Sequence, residues 1–202
     1  MLDGMMRGII DAPLKRGGVW LARRGASANA VTLIGLGFGL AAAVMIAIGQ
    51  TGLVAVLMIL ASRLADGLDG AVARARGKTD FGGYLDIACD FAFYAAIPTA
   101  FVIADPAQNG AAGAFLLASF YVNGASFLGY ATLAAKRGME TRDRGDKSLY
   151  FTAGLLEGTE TILFFLLIVT WPGAFAIAAW IFGGLCLVTA ASRVLLARRV
   201  FL

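Results

Sequence analysis

Hydrophobic residues fall into long runs along this chain, and short polar connections separate the runs. An α-helix needs about 20 predominantly apolar residues to cross the hydrocarbon core of a bilayer. Six runs reach this length, so the pattern predicts an all-α integral membrane protein with six transmembrane helices. We place these spans at Ala30–Gly49, Leu53–Arg74, Gly82–Ala104, Ala111–Ala135, Leu149–Trp171 and Pro172–Leu196.

The segment before the first span has a different pattern, because residues 1–28 mix basic side chains with Leu, Met, Ile, Val and Trp. Such a mixture is typical of an amphipathic helix that lies in the membrane interface and contacts anionic lipid. We predict a helix of this kind, broken near Pro13, and a frayed tail is the alternative. Residues 29–202 then form the six-helix bundle, and residues 1–202 form a single membrane-embedded domain.

Basic residues lie at one end of the predicted spans. The turns near Gln50, at 105–110 and near Pro172 contain no Lys or Arg. Because cytoplasmic loops of membrane proteins are enriched in Lys and Arg, we predict that both termini face the cytosol from the inner (plasma) membrane. The basic side holds Lys15, Arg16, Arg23, Arg24, Arg74, Arg76, Lys78, Lys136, Arg137, Arg142, Arg144, Lys147, Arg198 and Arg199.

Composition supports a membrane protein and excludes several kinds of site. Hydrophobic residues make up 59% of the 202 residues, the mean hydropathy is +0.79, and only 15% of residues are charged, against about 25% in a typical soluble domain. The chain has no His, which excludes His-ligated zinc or haem. Cys89 and Cys186 lie in apolar runs and are interpreted as core residues. The net charge of +4 fits topology and lipid contact, and we expect no nucleic-acid partner.

Two acidic stripes interrupt the apolar pattern where the second predicted span ends and the third begins. Their residues recur at i, i+3, i+4, i+7 and i+8 in one span and at i, i+4 and i+8 in the next, so each set shares one helix face. The loop at 75–81 is short, which makes the two helices antiparallel neighbours and lets the stripes face each other near the cytoplasmic surface. The stripes consist of Asp66, Asp69, Gly70, Ala73 and Arg74, and of Gly82, Asp86 and Asp90.

The four aspartates of these stripes suggest a metal site. Carboxylates that share a partly desolvated cleft repel one another, and hard divalent cations such as Mg²⁺ or Mn²⁺ relieve that repulsion. Four carboxylates can hold two ions about 4 Å apart, an arrangement that clamps a transferring phosphoryl group. Arg74 offers a planar donor fork to a phosphate. Helix caps or structural ion pairs are the alternatives, and they are disfavoured because ionisable residues at membrane depth are generally functional.

These stripes also resemble the signature of the CDP-alcohol phosphotransferase family. The resemblance is carried by Asp66-x-x-Asp69-Gly70-x-x-Ala73-Arg74, followed after seven residues by Gly82-x-x-x-Asp86-x-x-x-Asp90. It implies transfer of a phosphatidyl or other substituted phosphate group from a CDP-linked donor, here CDP-diacylglycerol, to an alcohol acceptor with release of CMP. The six spans and the N-terminal segment are similar to that family's architecture, and we also expect a homodimer.

The resemblance implies roles for individual residues. Two Mg²⁺ or Mn²⁺ ions would be held by Asp66, Asp69, Asp86 and Asp90. Asp90 would also be the general base for the acceptor hydroxyl. The CDP-lipid would contact Asp66, Gly70 and Arg74 and, from the weaker matches "NAVT" and "TDFG", Asn29, Thr32 and Thr79. A helix-capping role is equally compatible with the last three.

The acceptor is the least determined part of the site. Phe91 stands where members of the family that use glycerol phosphate or inositol phosphate often carry Lys or Arg, so a phosphorylated acceptor is in doubt. Candidate acceptor-pocket residues are Asn123, Lys147, Glu157 and Arg193. Their alternatives are topology determinants for the basic residues and a helix–helix polar clamp for the others. For the whole protein, an intramembrane Mg²⁺-dependent prenyltransferase and a cation transporter remain as alternative functions.

Overall fold

The computed structural model describes residues 2–139, 156 and 158–202, with side chains from residue 11 onward. Within these ranges the chain is all-α and has no β-strand, which confirms the all-α part of the predicted fold class. A short 3₁₀ turn, Pro172–Ala174, precedes the last helix. The helices are α1 Leu2–Arg23, α2 Ala28–Ala47, α3 Leu53–Arg76, α4 Asp80–Ala104, α5 Pro106–Lys136, α6 Gly158–Thr170 and α7 Phe175–Phe201.

Short polar residues fix where the central helices begin. The Ser27 hydroxyl accepts a hydrogen bond from a backbone N–H in the first turn of α2, and Thr79 and Asp105 do the same for α4 and α5. These caps satisfy N–H groups that have no partner inside the helix. At the end of α3, Gly77 has a φ of 105°, a conformation that favours glycine. The chain therefore turns within three residues from α3 into α4.

Four of the described helices are long and apolar enough to cross a membrane: Ala28–Ala47, Asp80–Ala104, Pro106–Lys136 and Pro172–Phe201. They correspond to the first, third, fourth and sixth predicted spans. The helix α3 has 24 residues, but Arg63 and the aspartates lower its hydropathy. The fifth predicted span begins outside the described residues, and only the 13-residue apolar helix α6 represents it. The second and fifth spans therefore stay predictions.

The helix α2 packs against both α3 and α4, while the backbones of α3 and α4 themselves hardly approach each other. Small residues allow this arrangement. A Cβ atom at Gly35 would lie 3.0 Å from Ala65 Cβ of α3, and one at Gly39 would lie 2.5 Å from a ring carbon of Phe93 of α4. A cleft therefore lies between α3 and α4, and α2 packs along both of its walls.

Aromatic rings fill the core beside this cleft and beyond it. Phe93 of α4 meets Phe165 of α6 edge to face with centroids 5.7 Å apart, and Phe101 stacks on Phe175 of α7 at 4.6 Å. Large apolar side chains also cover the outward faces of α2 and α7. Examples are Leu33, Ile34, Val44, Ile177, Ile181 and Val188. Exposed apolar surface of this extent is expected where lipid, not water, surrounds the helices.

The N-terminal helix α1 runs through Pro13 without interruption, so the predicted break there is wrong. Proline removes one helical hydrogen bond, but α1 packs along α3, and that packing holds the helix together. A Cβ atom at Gly18 would come within 2.4 Å of Ala71 Cβ, so the two helices are in close contact. The interfacial, amphipathic character of α1 stays a prediction.

Candidate active site

Three carboxylates from two helices converge in the cleft between α3 and α4. One oxygen each of Asp66, Asp69 and Asp86 lies within 4.8 Å of the other two. Asp69 is buried, whereas Asp66 and Asp86 are half-buried. Carboxylate oxygens are the ligands that Mg²⁺ and Mn²⁺ prefer, and one ion can bridge several of them. The donor set of this three-aspartate cluster therefore fits a divalent cation of this kind.

The most buried member of the cluster is held from α2. The Thr32 hydroxyl lies 2.6 Å from Asp69 Oδ2 and 3.0 Å from the carbonyl oxygen of Ala28. A hydroxyl has one proton to donate, and the charged, closer oxygen is the stronger acceptor. Thr32 therefore fixes the orientation of Asp69. The sequence predicts a nucleotide contact or a helix cap for Thr32 but not this bond to Asp69, because a pattern within one helix does not show which side chain of another helix it meets.

The fourth aspartate of the motif, Asp90, is engaged by an arginine. Arg63 Nη1 donates to Asp90 Oδ1 at 2.7 Å and lies 3.7 Å from Asp66 Oδ1. Arg63 thus links α3 to α4 and connects Asp90 with the three-aspartate cluster. The motif assigns Arg63 no role. The only signal in the sequence is a basic residue three positions before Asp66 in an apolar run.

The residues predicted to contact the nucleotide lie at the same end of α2, α3 and α4. A Cβ atom at Gly82 would be 3.0 Å from Thr79 Oγ1 and 3.2 Å from Asn29 Oδ1, so these three residues adjoin one another. Thr79 caps α4, as the alternative reading of "TDFG" has it. On α3, a Cβ atom at Gly70 would lie 3.3 Å from Arg74 Nη1, and the Arg74 side chain is exposed.

Two of the candidate acceptor residues contact each other on α5 and α7. Arg193 Nη1 donates to Asn123 Oδ1 at 2.9 Å, to the Asn123 carbonyl at 3.1 Å and to Ser126 Oγ at 2.7 Å. This geometry is that of a polar clamp between the two helices. Lys147 and Glu157 lie outside the described residues.

Phe91, the residue after Asp90, packs toward α5. A Cβ atom at Gly124 would come within 2.3 Å of Phe91 Cε1, so the ring occupies the space that a side chain at position 124 would need. Phe91 therefore serves apolar packing between α4 and α5.

Comparison with known proteins bears on this site. Residues 26–192 match the sequence profile of the CDP-alcohol phosphatidyltransferase family. Inner membrane protein YnjF of Escherichia coli is 48% identical over 174 residues, which cover 86% of this chain and 84% of that protein. Archaetidylinositol phosphate synthase of Pyrococcus horikoshii is 29% identical over 168 residues, or 80% of this chain and 87% of that protein.

Solved structures of phosphatidylinositol phosphate synthase from Mycobacterium tuberculosis share the fold. The structure with CDP-DAG bound has a TM-score of 0.64 at 23% identity and covers 90% of this chain and 91% of its own. The complex with manganese and citrate has a TM-score of 0.61 at 25% identity, with 90% and 86% covered. The profile match spans most of the chain and includes both acidic stripes. This protein therefore belongs to the CDP-alcohol phosphatidyltransferase family.

Proposed function

We propose that this protein transfers a phosphatidyl group from CDP-diacylglycerol to an alcohol and releases CMP. The observation that carries the proposal is the convergence of Asp66, Asp69 and Asp86 from two helices within 4.8 Å. Family membership gives this cluster its reaction class. The same membership favours this reaction over the prenyltransferase and the cation transporter that the acidic pattern alone leaves open.

Asp66, Asp69, Asp86 and Asp90 are the proposed ligands of two divalent cations, Mg²⁺ or Mn²⁺. When bound, such ions neutralise charge on the donor diphosphate and on the departing CMP. The three-aspartate cluster supplies oxygens from both α3 and α4, so it can bind only while the two helices keep their present spacing. A manganese complex of the mycobacterial synthase, which shares this fold, supports a divalent cation here as well.

The nucleotide of the donor is proposed to lie over the ends of α2, α3 and α4. Gly70 leaves its face of α3 open, and the exposed Arg74 guanidinium next to it can donate to a phosphate through two N–H groups. Asn29 and Thr79 border the same region across Gly82. Thr32 acts there through Asp69, which it orients by a hydrogen bond. The mycobacterial synthase with CDP-DAG bound supports this class of donor.

Asp90 is the proposed general base. Its Oδ1 accepts a hydrogen bond from Arg63, and its second oxygen is then available for the proton of the acceptor hydroxyl. As that proton leaves, the acceptor oxygen attacks the phosphorus that carries the diacylglycerol, and the bond from this phosphorus to the oxygen of CMP breaks. Asp90 is 30% exposed, so an acceptor can reach it from the cleft.

The proposed setting is the inner membrane, as the name of the Escherichia coli relative suggests. We place six spans across it, both termini and the acidic cleft on the cytoplasmic side, and α1 on the lipid surface. In this arrangement the acyl chains of the donor stay in lipid while the nucleotide stays in water. The active form is proposed to be a homodimer of this single-domain chain.

The acceptor is proposed to enter between the cleft and α5–α7, where Asn123 and Arg193 meet. Lys147 and Glu157 are further proposed members of this pocket. Phe91 packs beside Asp90 on the approach from α5 and adds no positive charge. The names of the archaeal and mycobacterial relatives point to acceptors with a phosphate, so paired phosphorylated and unphosphorylated alcohols must be compared.

The proposal is tested by incubating detergent-purified protein with Mn²⁺, CDP-diacylglycerol and paired phosphorylated and unphosphorylated alcohols. We expect CMP release that EDTA abolishes, and mass spectrometry of the lipid product identifies the acceptor. Asp90→Asn should abolish CMP release while CDP-diacylglycerol binding persists. Absence of CMP release with every acceptor, from protein that is folded and binds Mn²⁺, would contradict the proposal.

A further inference from the structure

Arg63 lies inside the helix bundle, in contact with two of the proposed metal ligands. Its side chain is only 11% exposed. Burying a guanidinium is unfavourable unless the charge is paired and the N–H groups are bonded. Asp90 at 2.7 Å and Asp66 at 3.7 Å supply the opposite charge. Such a charge next to a cation-binding cluster needs an explanation beyond the stability of the bundle, because a cation must bind beside it.

The guanidinium is fixed on three sides. Nη1 donates to Asp90, Nη2 donates to the hydroxyl of Ser62 at 3.1 Å, and the group lies 4.0 Å from the ring centroid of Phe93. A guanidinium over an aromatic face gains electrostatic attraction as well as packing. Together these contacts define both the position and the plane of the donor fork, and therefore the direction in which Asp90 points.

We propose that Arg63 is a positioning residue for the transfer reaction, which fixes Asp90 through Oδ1 and, by its charge, limits how tightly the acidic cleft binds divalent cations. The inference rests on the proposed function, since it assigns Asp90 the role of base. It extends that function by naming a residue outside the motif on which turnover depends.

Replacing Arg63 by a neutral residue should have two opposite effects, tighter binding of divalent cations and slower turnover. Removing the positive charge beside Asp66 and Asp90 removes a repulsion on any cation that these carboxylates bind. Divalent cations then bind more tightly. Asp90 loses the bond that orients it, so turnover falls. If Arg63 were only a structural link between α3 and α4, its replacement would lower the stability of the protein without tightening the binding of a cation.

The test measures Mn²⁺ affinity by EPR titration without substrate, and kcat and KM by CMP release. For Arg63→Gln we expect Kd for Mn²⁺ to fall about tenfold, the effect of one positive charge about 6 Å from a divalent ion even at the dielectric constant of water. We expect kcat to fall about tenfold or more through misorientation of the base, with KM for CDP-diacylglycerol changed less than threefold. Arg76→Gln is the matched control, because it removes the same charge from the same helix at a residue that bonds to the carbonyl of Ala26 and to no aspartate of the cluster. Its Kd for Mn²⁺ and its kcat should equal those of the wild type.

Arg63→Lys separates charge from geometry and serves if Arg63→Gln does not fold. It keeps the charge but loses the planar fork, so we expect Kd for Mn²⁺ within about twofold of wild type and a kcat reduced at least about threefold. Unchanged or weaker Mn²⁺ binding in folded Arg63→Gln, or a wild-type kcat in Arg63→Lys, would overturn the inference. If wild-type protein binds Mn²⁺ but never releases CMP, the proposed function fails, and the Mn²⁺ titration still tests the charge of Arg63.

Discussion

The hydrogen bond from Thr32 to Asp69 predicts that removal of the Thr32 hydroxyl weakens metal binding. Replacing Thr32 by Val removes the hydroxyl and keeps the side chain's size and branching, at a position only 7% exposed. Asp69, itself 5% exposed, then loses the donor that orients it, and water has little access to replace that donor. A hydrogen bond to a charged group contributes about 1.5–3 kcal/mol. Loss of a group that orients a metal ligand typically lowers metal affinity about 10–100-fold.

We therefore expect the Kd of Thr32→Val for Mn²⁺ to rise at least about tenfold, with a parallel loss of CMP release at limiting Mn²⁺ that excess metal partly restores. EPR titration of Mn²⁺ against detergent-purified protein measures the Kd directly. Thr32→Ser keeps the hydroxyl and should remain within about threefold of wild type. Thr99→Val is a matched control, because within the described part of the chain the Thr99 hydroxyl bonds only to a carbonyl of its own helix, that of Ala95.

The reasoning is refuted if Thr32→Val is folded and binds Mn²⁺ with wild-type affinity. The hydrogen bond would then be dispensable for orienting Asp69. The shift expected here is also opposite in sign to that of Arg63→Gln, which tightens Mn²⁺ binding. Measured side by side, the two variants distinguish loss of ligand orientation from loss of positive charge.

Two further predictions concern packing and the acceptor. Gly39→Ala should lower the thermal unfolding temperature, because overpacking against buried Phe93 typically costs about 1–3 kcal/mol. In the control Gly37→Ala the added methyl group meets no atom within 4 Å, so the unfolding temperature should not change. Equal unfolding temperatures for both variants would show that α2 can shift to accommodate the methyl group. Arg193→Gln should raise KM for the acceptor several-fold while KM for CDP-diacylglycerol stays constant. A lower unfolding temperature with an unchanged acceptor KM would assign the bond to Asn123 to a structural clamp instead.

Much of the architecture can be predicted from the sequence, because the length and hydropathy of apolar runs identify membrane helices. The helices α2, α4, α5 and α7 begin and end within a few residues of the predicted spans, apart from the earlier start of α5 at Pro106 and the later end of α7 at Phe201. Helical spacing also placed Asp66 and Asp69 on one face. Such spacing shows which residues share a face of one helix, but it does not show which other helix packs against that face.

The unpredicted parts of the site are contacts between helices. The bond from Thr32 to Asp69 requires α2 to pack on α3, and the bond from Arg63 to Asp90 requires a particular separation of α3 and α4. Neither distance is encoded in a motif. The continuous course of α1 through Pro13 has the same origin, because contact with α3 outweighs a local helix-breaking tendency.

The buttressing of α3 and α4 by α2 has a consequence for how metal affinity can change. The width of the acidic cleft is set by a helix that contributes no carboxylate, through the hydrogen side chains of Gly35 and Gly39. One added methyl group there would press α2 against α3 or α4 and change the oxygen–oxygen distances that join Asp86 of α4 to Asp66 and Asp69 of α3. Tuning of this centre is thus open to residues of α2 that supply no ligand atom and act through their contacts with α3 and α4.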